Sequence, residues 1–153
     1  AEWAAIMQTP APAPAAARLP ATGISWDDAQ EFMRRLNAQV PGAGFRLPTE
    51  AEWEHAARQG GATTTLNATA WFNAKPAPRP VGQGQPDKLG LHDLQGNVWE
   101  WCANSYAPYP DPATQPGSLK VLRGGSFLDT PDLVDPAFRQ AERPNRRPPM
   151  NAL

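Results

Sequence analysis

Apolar residues recur at helical spacing in two stretches of the first 60 residues. In the first stretch they are three or four positions apart, which places them on one face of an α-helix: Trp26, Ala29, Met33, Leu36 and Val40. Ser25 precedes them as an N-cap, Asp28 completes a capping box, and Pro41-Gly42 ends the pattern. We therefore predict a helix after Ser25 that buries this stripe.

A second helix is predicted to begin at Thr49 and to end at Gly60-Gly61, where a left-handed cap is expected. Glu52, three residues after Thr49, is its capping partner. Residues 1–7 predict a further short helix, and the Ala/Pro-rich stretch 10–20 predicts an extended surface loop. The inward-facing residues predicted for the second helix are Trp53, Ala56 and Ala57.

The second half of the chain carries short strand signals instead of helical spacing. Residues 120–123 alternate like a strand and meet Gly124-Gly125, where the chain can bend. Trp99 and Trp101 are two residues apart, so in an extended segment they share one face while Glu100 points to the other. These residues predict two short extended segments.

Composition limits the functions that are open to this chain. Its 153 residues are enough for one domain with a real core, and we predict a single domain over residues 1–153. With 14 basic and 15 acidic residues the formal charge is −1, which provides no general field for nucleic acid or an anionic membrane. No apolar run is long enough to cross a bilayer, so we predict no membrane insertion.

Few side chains offer thiol or metal chemistry. Cys102 is the only cysteine, which excludes an intrachain disulfide, and its position after Trp101 predicts a buried, inert thiol. The two histidines are too few for a three-histidine metal centre, and His55 is predicted to be a surface or packing residue. Four arginines near the C-terminus predict a solvated basic face or, alternatively, a ligand-facing cluster: Arg139, Arg143, Arg146 and Arg147.

Several sequence blocks, in order, resemble the formylglycine-generating-enzyme (sulfatase-modifying-factor) family. They are Arg46-Leu-Pro-Thr-Glu-Ala-Glu-Trp-Glu54, Gly90-Leu-His-Asp-Leu-Gln-Gly-Asn-Val-Trp-Glu-Trp101 and Leu122-Arg-Gly-Gly-Ser-Phe127, and the predicted helix after Ser25 resembles the first helix of that family. The resemblance implies an α+β fold of the C-type-lectin-like type, with two helices, a small twisted sheet and much irregular structure.

Catalytic members of that family hold copper(I) with two cysteines just after the Gly-Gly-Ser motif and oxidise a substrate cysteine. Counted on from Ser126 without gaps, those positions are Asp129 and Val134 in this chain. Copper(I) selects soft thiolates, which neither side chain offers, and Cys102 lies outside the motif. The resemblance therefore implies no copper site and no formylglycine generation, so we predict a non-catalytic chain.

A calcium site is a second family feature that the resemblance implies. In members that bind calcium, the segment ending in Trp-Glu-Trp supplies side-chain and carbonyl oxygens. Mapped by position, the side chains are Asp93 and Glu100, and the carbonyls belong to Gly96 and Val98. The alternative is that Glu100 and Asn97 satisfy buried backbone groups beside the tryptophans. The residues leave both interpretations open.

Two other branches of the family indicate what the scaffold does without copper. In ergothioneine-type sulfoxide synthases the domain lends substrate contacts to an iron centre on another domain, which implies a ligand-binding pocket around Asp129, Arg139 and Arg143. In a third branch the fold is a binding scaffold, which implies a recognition surface over residues 127–147; the alternative is that these residues form an ordinary surface loop region.

We therefore predict a non-catalytic binding or accessory domain that associates with other protein subunits. The alternative is a substrate-binding component of an oxidoreductase whose metal centre lies on another domain or chain. Family analogy favours a periplasmic or otherwise exported bacterial protein. The resemblance also implies a chain that is incomplete at both ends, since the family's opening β segment and closing strand have no counterpart here; a partner chain could cover sheet edges left unpaired.

Overall fold

The structure is a computed structural model that describes residues 1–60, 70–73, 75–107 and 119–147. Within these residues the helices are α1 (Glu2–Met7), α2 (Trp26–Gln39) and α3 (Glu50–Gly60), and a short 3₁₀ turn, Pro14–Ala16, lies in the Ala/Pro-rich loop. The strands are β1 (Glu100–Ser105), β2 (Lys120–Arg123) and β3 (Gln140–Glu142). The predicted α+β class is confirmed. No helix in the described ranges is long and apolar enough to cross a membrane.

Helix α2 begins as predicted. The Asp28 N–H donates to Ser25 Oγ at 3.0 Å and the Ser25 N–H donates to Asp28 Oδ2 at 2.9 Å, which is the predicted capping box. The prediction for Val40 is wrong: the helix ends at Gln39, so Val40 leaves the helical face as the C-cap and is 45% exposed.

Helix α3 also has its predicted cap. The Thr49 N–H donates to Glu52 Oε2 at 2.7 Å, and the Glu52 N–H donates to Thr49 Oγ1 at 3.2 Å. Trp53 and Ala57 are buried as predicted, whereas Ala56 is only half-buried. The predicted stop at Gly60 agrees with the last helical residue, and Gly61 lies outside the described residues.

The sheet has the antiparallel order β1-β2-β3 and carries apolar side chains on both faces. Trp101 pairs with Leu122, and on that face they pack against Ala29 and Leu47, with Trp99 beside them. The next residues along each strand, Cys102 and Val121, pack on the other face against Trp53 and Ala57 of α3. The predicted shared face of Trp99 and Trp101 is thereby confirmed. Alternation along two short strands lets α2 and α3 cover opposite faces of one small sheet.

Candidate functional site

An open cavity of about 380 Å³ lies beside the start of β1 and brings together residues from the Trp-Glu-Trp block. Asp93, Val98 and Glu100, three of the four predicted calcium ligands, line it, and Gly96 lies between them in the chain. The other lining residues are Pro20, Val81, Gly82, His92 and Asn97.

Glu100 is held on the face of β1 opposite to Trp99 and Trp101. The Trp53 Nε1–H of α3 donates to Glu100 Oε2 at 2.7 Å, and Oε1 accepts no hydrogen bond from the described residues. Burial raises the pKa of the Glu100 carboxyl to about 7; the bond from Trp53 lowers this pKa, and the negative charge of Asp93 raises it further. A cation near Glu100 would lower this pKa and favour the ionised carboxylate.

Asp93 sits in a left-handed backbone conformation, with φ of +60°, and both of its carboxylate oxygens have partners. Arg79 Nη2 donates to Oδ1 at 2.8 Å, and the Gly82 N–H donates to Oδ2 at 2.7 Å. The ion pair is well buried, since the Arg79 side chain is 14% exposed and that of Asp93 is 10% exposed. Arg79 therefore supplies the positive charge next to this carboxylate.

Between Asp93 and Glu100, some backbone carbonyl oxygens accept a hydrogen bond and others do not. The Gln95 carbonyl accepts from the Trp71 N–H at 3.2 Å and the Asn97 carbonyl accepts from the Phe127 N–H at 2.9 Å. The carbonyls of Gly96 and Val98 accept no hydrogen bond from the described part of the chain. The two predicted carbonyl ligands are thus among the carbonyls of this stretch that have no donor in the described part of the chain.

These donors fit a hard cation in chemical type. Carboxylate and carbonyl oxygens are what calcium takes, usually six to eight of them including water. In the described ranges no three His, Cys, Asp or Glu side chains converge, so a cation here would need the Gly96 and Val98 carbonyls as well as carboxylates. A calcium ion bound here would balance the negative charges of Asp93 and Glu100 and would link the two ends of the segment between them.

The alternative interpretation holds for Asn97. Its Oδ1 accepts from the Arg79 N–H at 2.9 Å and its Nδ2 donates to the Arg79 carbonyl at 3.3 Å, while the residue is 2% exposed. Asn97 therefore satisfies backbone groups, as that interpretation requires. The partner of Glu100 is instead an indole side chain.

Comparison with known proteins identifies the family. A family model described as the sulfatase-modifying factor enzyme 1-like domain matches residues 1–151. The chain belongs to this family. The predicted resemblance is confirmed.

Characterised relatives of this sulfatase-modifying-factor domain carry different names. The formylglycine-generating enzyme of Streptomyces coelicolor is 34% identical over 139 residues, covering 71% of this chain and 42% of that protein. The inactive C-alpha-formylglycine-generating enzyme 2 of Mus musculus is 38% identical over 135 residues, covering 74% and 39%. The hercynine oxygenase of Mycobacterium tuberculosis is 33% identical over 129 residues, covering 69% and 30%. The chain thus spans less than half the length of these relatives.

Solved structures agree on the fold. The Treponema denticola variable protein 1 superposes with a TM-score of 0.77 at 25% identity, covering 93% of this chain and 75% of that chain. CarF superposes with a TM-score of 0.67 at 26% identity, covering 84% and 63%. The fold of this domain is therefore that of the formylglycine-generating-enzyme type.

The two positions after the Gly-Gly-Ser motif have structural contacts in this domain. Asp129 is buried, and its Oδ2 accepts from the Ser126 N–H at 2.7 Å and from the Ser126 hydroxyl at 2.6 Å. Val134 is fully buried and lies so close to Gly125 that a Cβ there would come within 2.5 Å of Val134 Cγ1. Cys102 is the free thiol of the domain, and burial raises its pKa to about 12, so the predicted inert thiol agrees with the structure.

The predicted ligand-binding residues Asp129, Arg139 and Arg143 each have different partners. Asp129 bonds to Ser126, as above. Arg139 Nη2 donates to Glu50 Oε2 at 2.8 Å, and its Nη1 donates to the Ala107 carbonyl at 2.8 Å. Arg143 is exposed and directly follows β3. The predicted solvated basic face describes Arg143 and its exposed neighbours better than it describes Arg139, which is tied to α3.

Sequence reasoning missed the arginine–glutamate cluster, which comprises Glu50, Glu54, Arg123 and Arg139. Glu50 begins α3 and contacts both arginines, and Glu54 one turn later also contacts Arg123. Arg123 is fully buried and lies over the Trp53 ring, 5.2 Å from its centroid. No spacing signal links these residues, because Glu50 and Arg123 are 73 positions apart.

Replacing Glu100 with glutamine is expected to change how stability depends on pH. The folded pKa of about 7 lies above the ordinary 4.5, so the protonated carboxyl stabilises the fold fully below pH 4.5 and this contribution is lost as the pH rises through 7. In chelator, Glu100→Gln should therefore gain on the order of 2–3 kcal/mol over wild type between pH 5 and pH 8. Urea unfolding at both pH values measures the difference.

Glu52→Gln is the matched control. Arg46 lowers the pKa of Glu52 to about 2, so the stabilising effect of its charge is lost only as the pH falls from 4.5 towards 2. This variant should track wild type between pH 5 and pH 8. A Glu100→Gln variant that also tracks wild type would contradict the raised pKa.

Proposed function

We propose that this chain is a non-catalytic sulfatase-modifying-factor domain that acts as a binding or accessory module. The observation that carries the proposal is that the two positions after the Gly-Gly-Ser motif hold Asp129 and Val134 in buried, structural contacts. Neither offers a thiolate, and the remaining thiol, Cys102, is buried with a pKa raised to about 12. The likeness to a relative named as inactive supports the same function.

A turnover assay tests the catalytic part of this proposal. A cysteine-containing sulfatase peptide is incubated with the chain, copper and oxygen, with the formylglycine-generating enzyme of Streptomyces coelicolor as the positive control. No aldehyde product should form with this chain. Formation of formylglycine in the peptide would overturn the proposal.

We further propose that the cavity beside β1 binds calcium. The support is the donor set: the Glu100 Oε1 atom and the carbonyls of Gly96 and Val98 have no donor among the described residues, and Asp93 faces the same cavity. Burial and the negative charge of Asp93 raise the pKa of Glu100, and a divalent cation between the two carboxylates would offset both effects.

Calcium is expected to raise the melting temperature of the wild-type chain. At a calcium concentration about 100 times the Kd, the gain is about 2.7 kcal/mol, or roughly 5–10 °C for a domain of this size. Glu100→Gln should lose most of this shift because it removes the ionisable ligand, whereas Glu52→Gln should keep it. Differential scanning fluorimetry in calcium and in chelator measures the shift. No shift in wild type, or an equal shift in Glu100→Gln, would contradict calcium binding at this cavity.

The accessory role implies partner subunits, and the edge of the sheet supports such a role. Strand β3 is an edge strand of the described sheet, and two N–H groups there bond to neighbouring side chains: Ala141 to Gln140 Oε1 at 3.0 Å and Arg143 to Glu142 Oε1 at 2.7 Å. A strand from a partner could replace these local bonds. Co-purification of the native protein, from the periplasmic fraction of its bacterial host, tests both the association and the compartment.

The alternative function, a substrate-binding component of an oxidoreductase, is supported by the likeness to hercynine oxygenase. It requires Asp129, Arg139 and Arg143 to serve one ligand. Because Asp129 is committed to Ser126 and Arg139 to Glu50, the binding-module function accounts better for the contacts. Saturation of the chain by hercynine in calorimetry, lost in Arg143→Gln, would favour the alternative.

A further inference from the structure

The Arg79–Asp93 ion pair occupies the carboxylate that the proposed calcium site needs. Arg79 Nη2 lies 2.8 Å from Asp93 Oδ1, and both side chains are largely withdrawn from solvent. Calcium–oxygen distances are about 2.3–2.6 Å. A calcium ion on Asp93 would therefore share a carboxylate with a guanidinium cation, at close range and with little water to screen the repulsion.

The backbone of Arg79 is fixed by contacts that do not involve its guanidinium. Both backbone polar groups of Arg79 bond to the buried side chain of Asn97. The guanidinium extends from that anchor and lies over the Trp71 ring, 5.5 Å from its centroid. Because arginine has a long flexible stem, the guanidinium can leave Asp93 without movement of its backbone.

We propose that Arg79 is an internal competitor that sets the affinity of the cavity for calcium. Without calcium, its guanidinium neutralises Asp93; when calcium binds, the guanidinium is displaced from Asp93 and moves relative to Trp71. This inference rests on the calcium binding proposed above, and it adds a specificity-determining residue outside the ligand set. A divalent cation can displace Arg79, whereas a monovalent cation offers Asp93 no more charge than the guanidinium already does.

Calcium titration of Arg79→Met tests the competition. Calorimetry should show calcium binding about tenfold or more tighter than in wild type, since the ion no longer displaces a cation. Arg79→Lys keeps a positive charge and should stay within a few-fold of wild type. Arg46→Met is the matched control: it breaks an arginine–glutamate pair on the exposed surface, with Glu52, and should leave the affinity unchanged.

The melting temperature provides a second test of the competition, independent of the calorimetric affinity. Arg79→Met leaves Asp93 without its cation, so the calcium-free variant should melt below wild type, and calcium should restore most of the loss. The calcium-induced shift should therefore be larger in Arg79→Met than in wild type or Arg46→Met.

Tryptophan fluorescence reports the movement itself. Calcium should change the emission of wild type, and this change should be reduced both in Trp71→Phe, which removes the indole ring that the guanidinium lies over, and in Arg79→Met, which removes the moving cation. An unchanged calcium response in Trp71→Phe would contradict the movement of Arg79.

These experiments distinguish a failure of the calcium proposal from a failure of the Arg79 proposal. If neither wild type nor Arg79→Met binds calcium, the calcium proposal fails and this inference fails with it. If wild type binds calcium and Arg79→Met binds with equal or weaker affinity, Arg79 is not a competitor, although the calcium site stands.

Discussion

Arg123→Met is expected to destabilise the domain by about 3–5 kcal/mol, because it leaves buried acceptors without their donor. The Arg123 side chain is fully buried, and it contacts Glu50 at 3.3 Å and Glu54 at a shorter distance. Its guanidinium also donates to the carbonyls of Pro136 and Phe138, at 2.6 Å and 3.0 Å. One side chain thereby joins α3, β2 and the segment that leads into β3.

Methionine fills much of the same volume, so the loss should come from unpaired polar groups rather than from a cavity. Urea unfolding monitored by circular dichroism measures it. Arg58→Met is the matched control, since Arg58 pairs with the same Glu54 from a side chain that is 53% exposed, and it should cost less than about 1 kcal/mol. A similar small loss in Arg123→Met would show that the buried cluster is not central to stability.

Gly96→Ala is the second substitution with a large expected effect. Gly96 has φ of +84°, and a Cβ there would lie 2.2 Å from the Trp71 carbonyl oxygen and 2.7 Å from the Trp71 carbonyl carbon. The obstruction is backbone held by hydrogen bonds on both sides of Gly96, so it cannot rotate away as a side chain does. We expect a loss of about 2–5 kcal/mol, from left-handed strain of about 1–2 kcal/mol and overpacking of about 1–3 kcal/mol.

Gly90→Ala separates these two contributions. Gly90 has φ of +80°, and a Cβ there meets nothing within 4 Å, so only the backbone strain applies. This control should lose about 1–2 kcal/mol. Equal losses in the two variants would mean that the approach of Trp71 contributes nothing. Because Gly96 also offers one of the proposed calcium carbonyls, Gly96→Ala should reduce the calcium shift as well.

Much of the local structure was predictable because its causes lie within a few residues. Ser25 and Thr49 each find their capping partner three positions later, and both boxes form as predicted. The period-two placement of Trp99 and Trp101 also holds, since it follows from extended backbone alone. Val40 was mispredicted because an apolar spacing pattern does not fix where the last helical turn ends.

The site was predictable only in part. Asp93, Val98 and Glu100 do line one cavity, as their place in a single short block suggests. The partners that set their chemistry were not predictable: Trp53 is 47 positions from Glu100, and Arg79 lies in a segment without any periodic pattern. Likewise Asp129 and Arg139 have little to mark them in sequence as residues held by Ser126 and Glu50.

The sequence by itself determined the family, the helices with their caps, the Trp-Glu-Trp strand and the lack of thiols after the Gly-Gly-Ser motif. These are properties of short segments, where spacing and side-chain type act directly on the backbone. The tertiary structure alone decided that Arg123 is fully buried against two glutamates and that Arg79 neutralises Asp93. Those pairings join parts of the chain that meet only after folding, because charge and burial depend on what surrounds a side chain in space rather than on its neighbours in sequence.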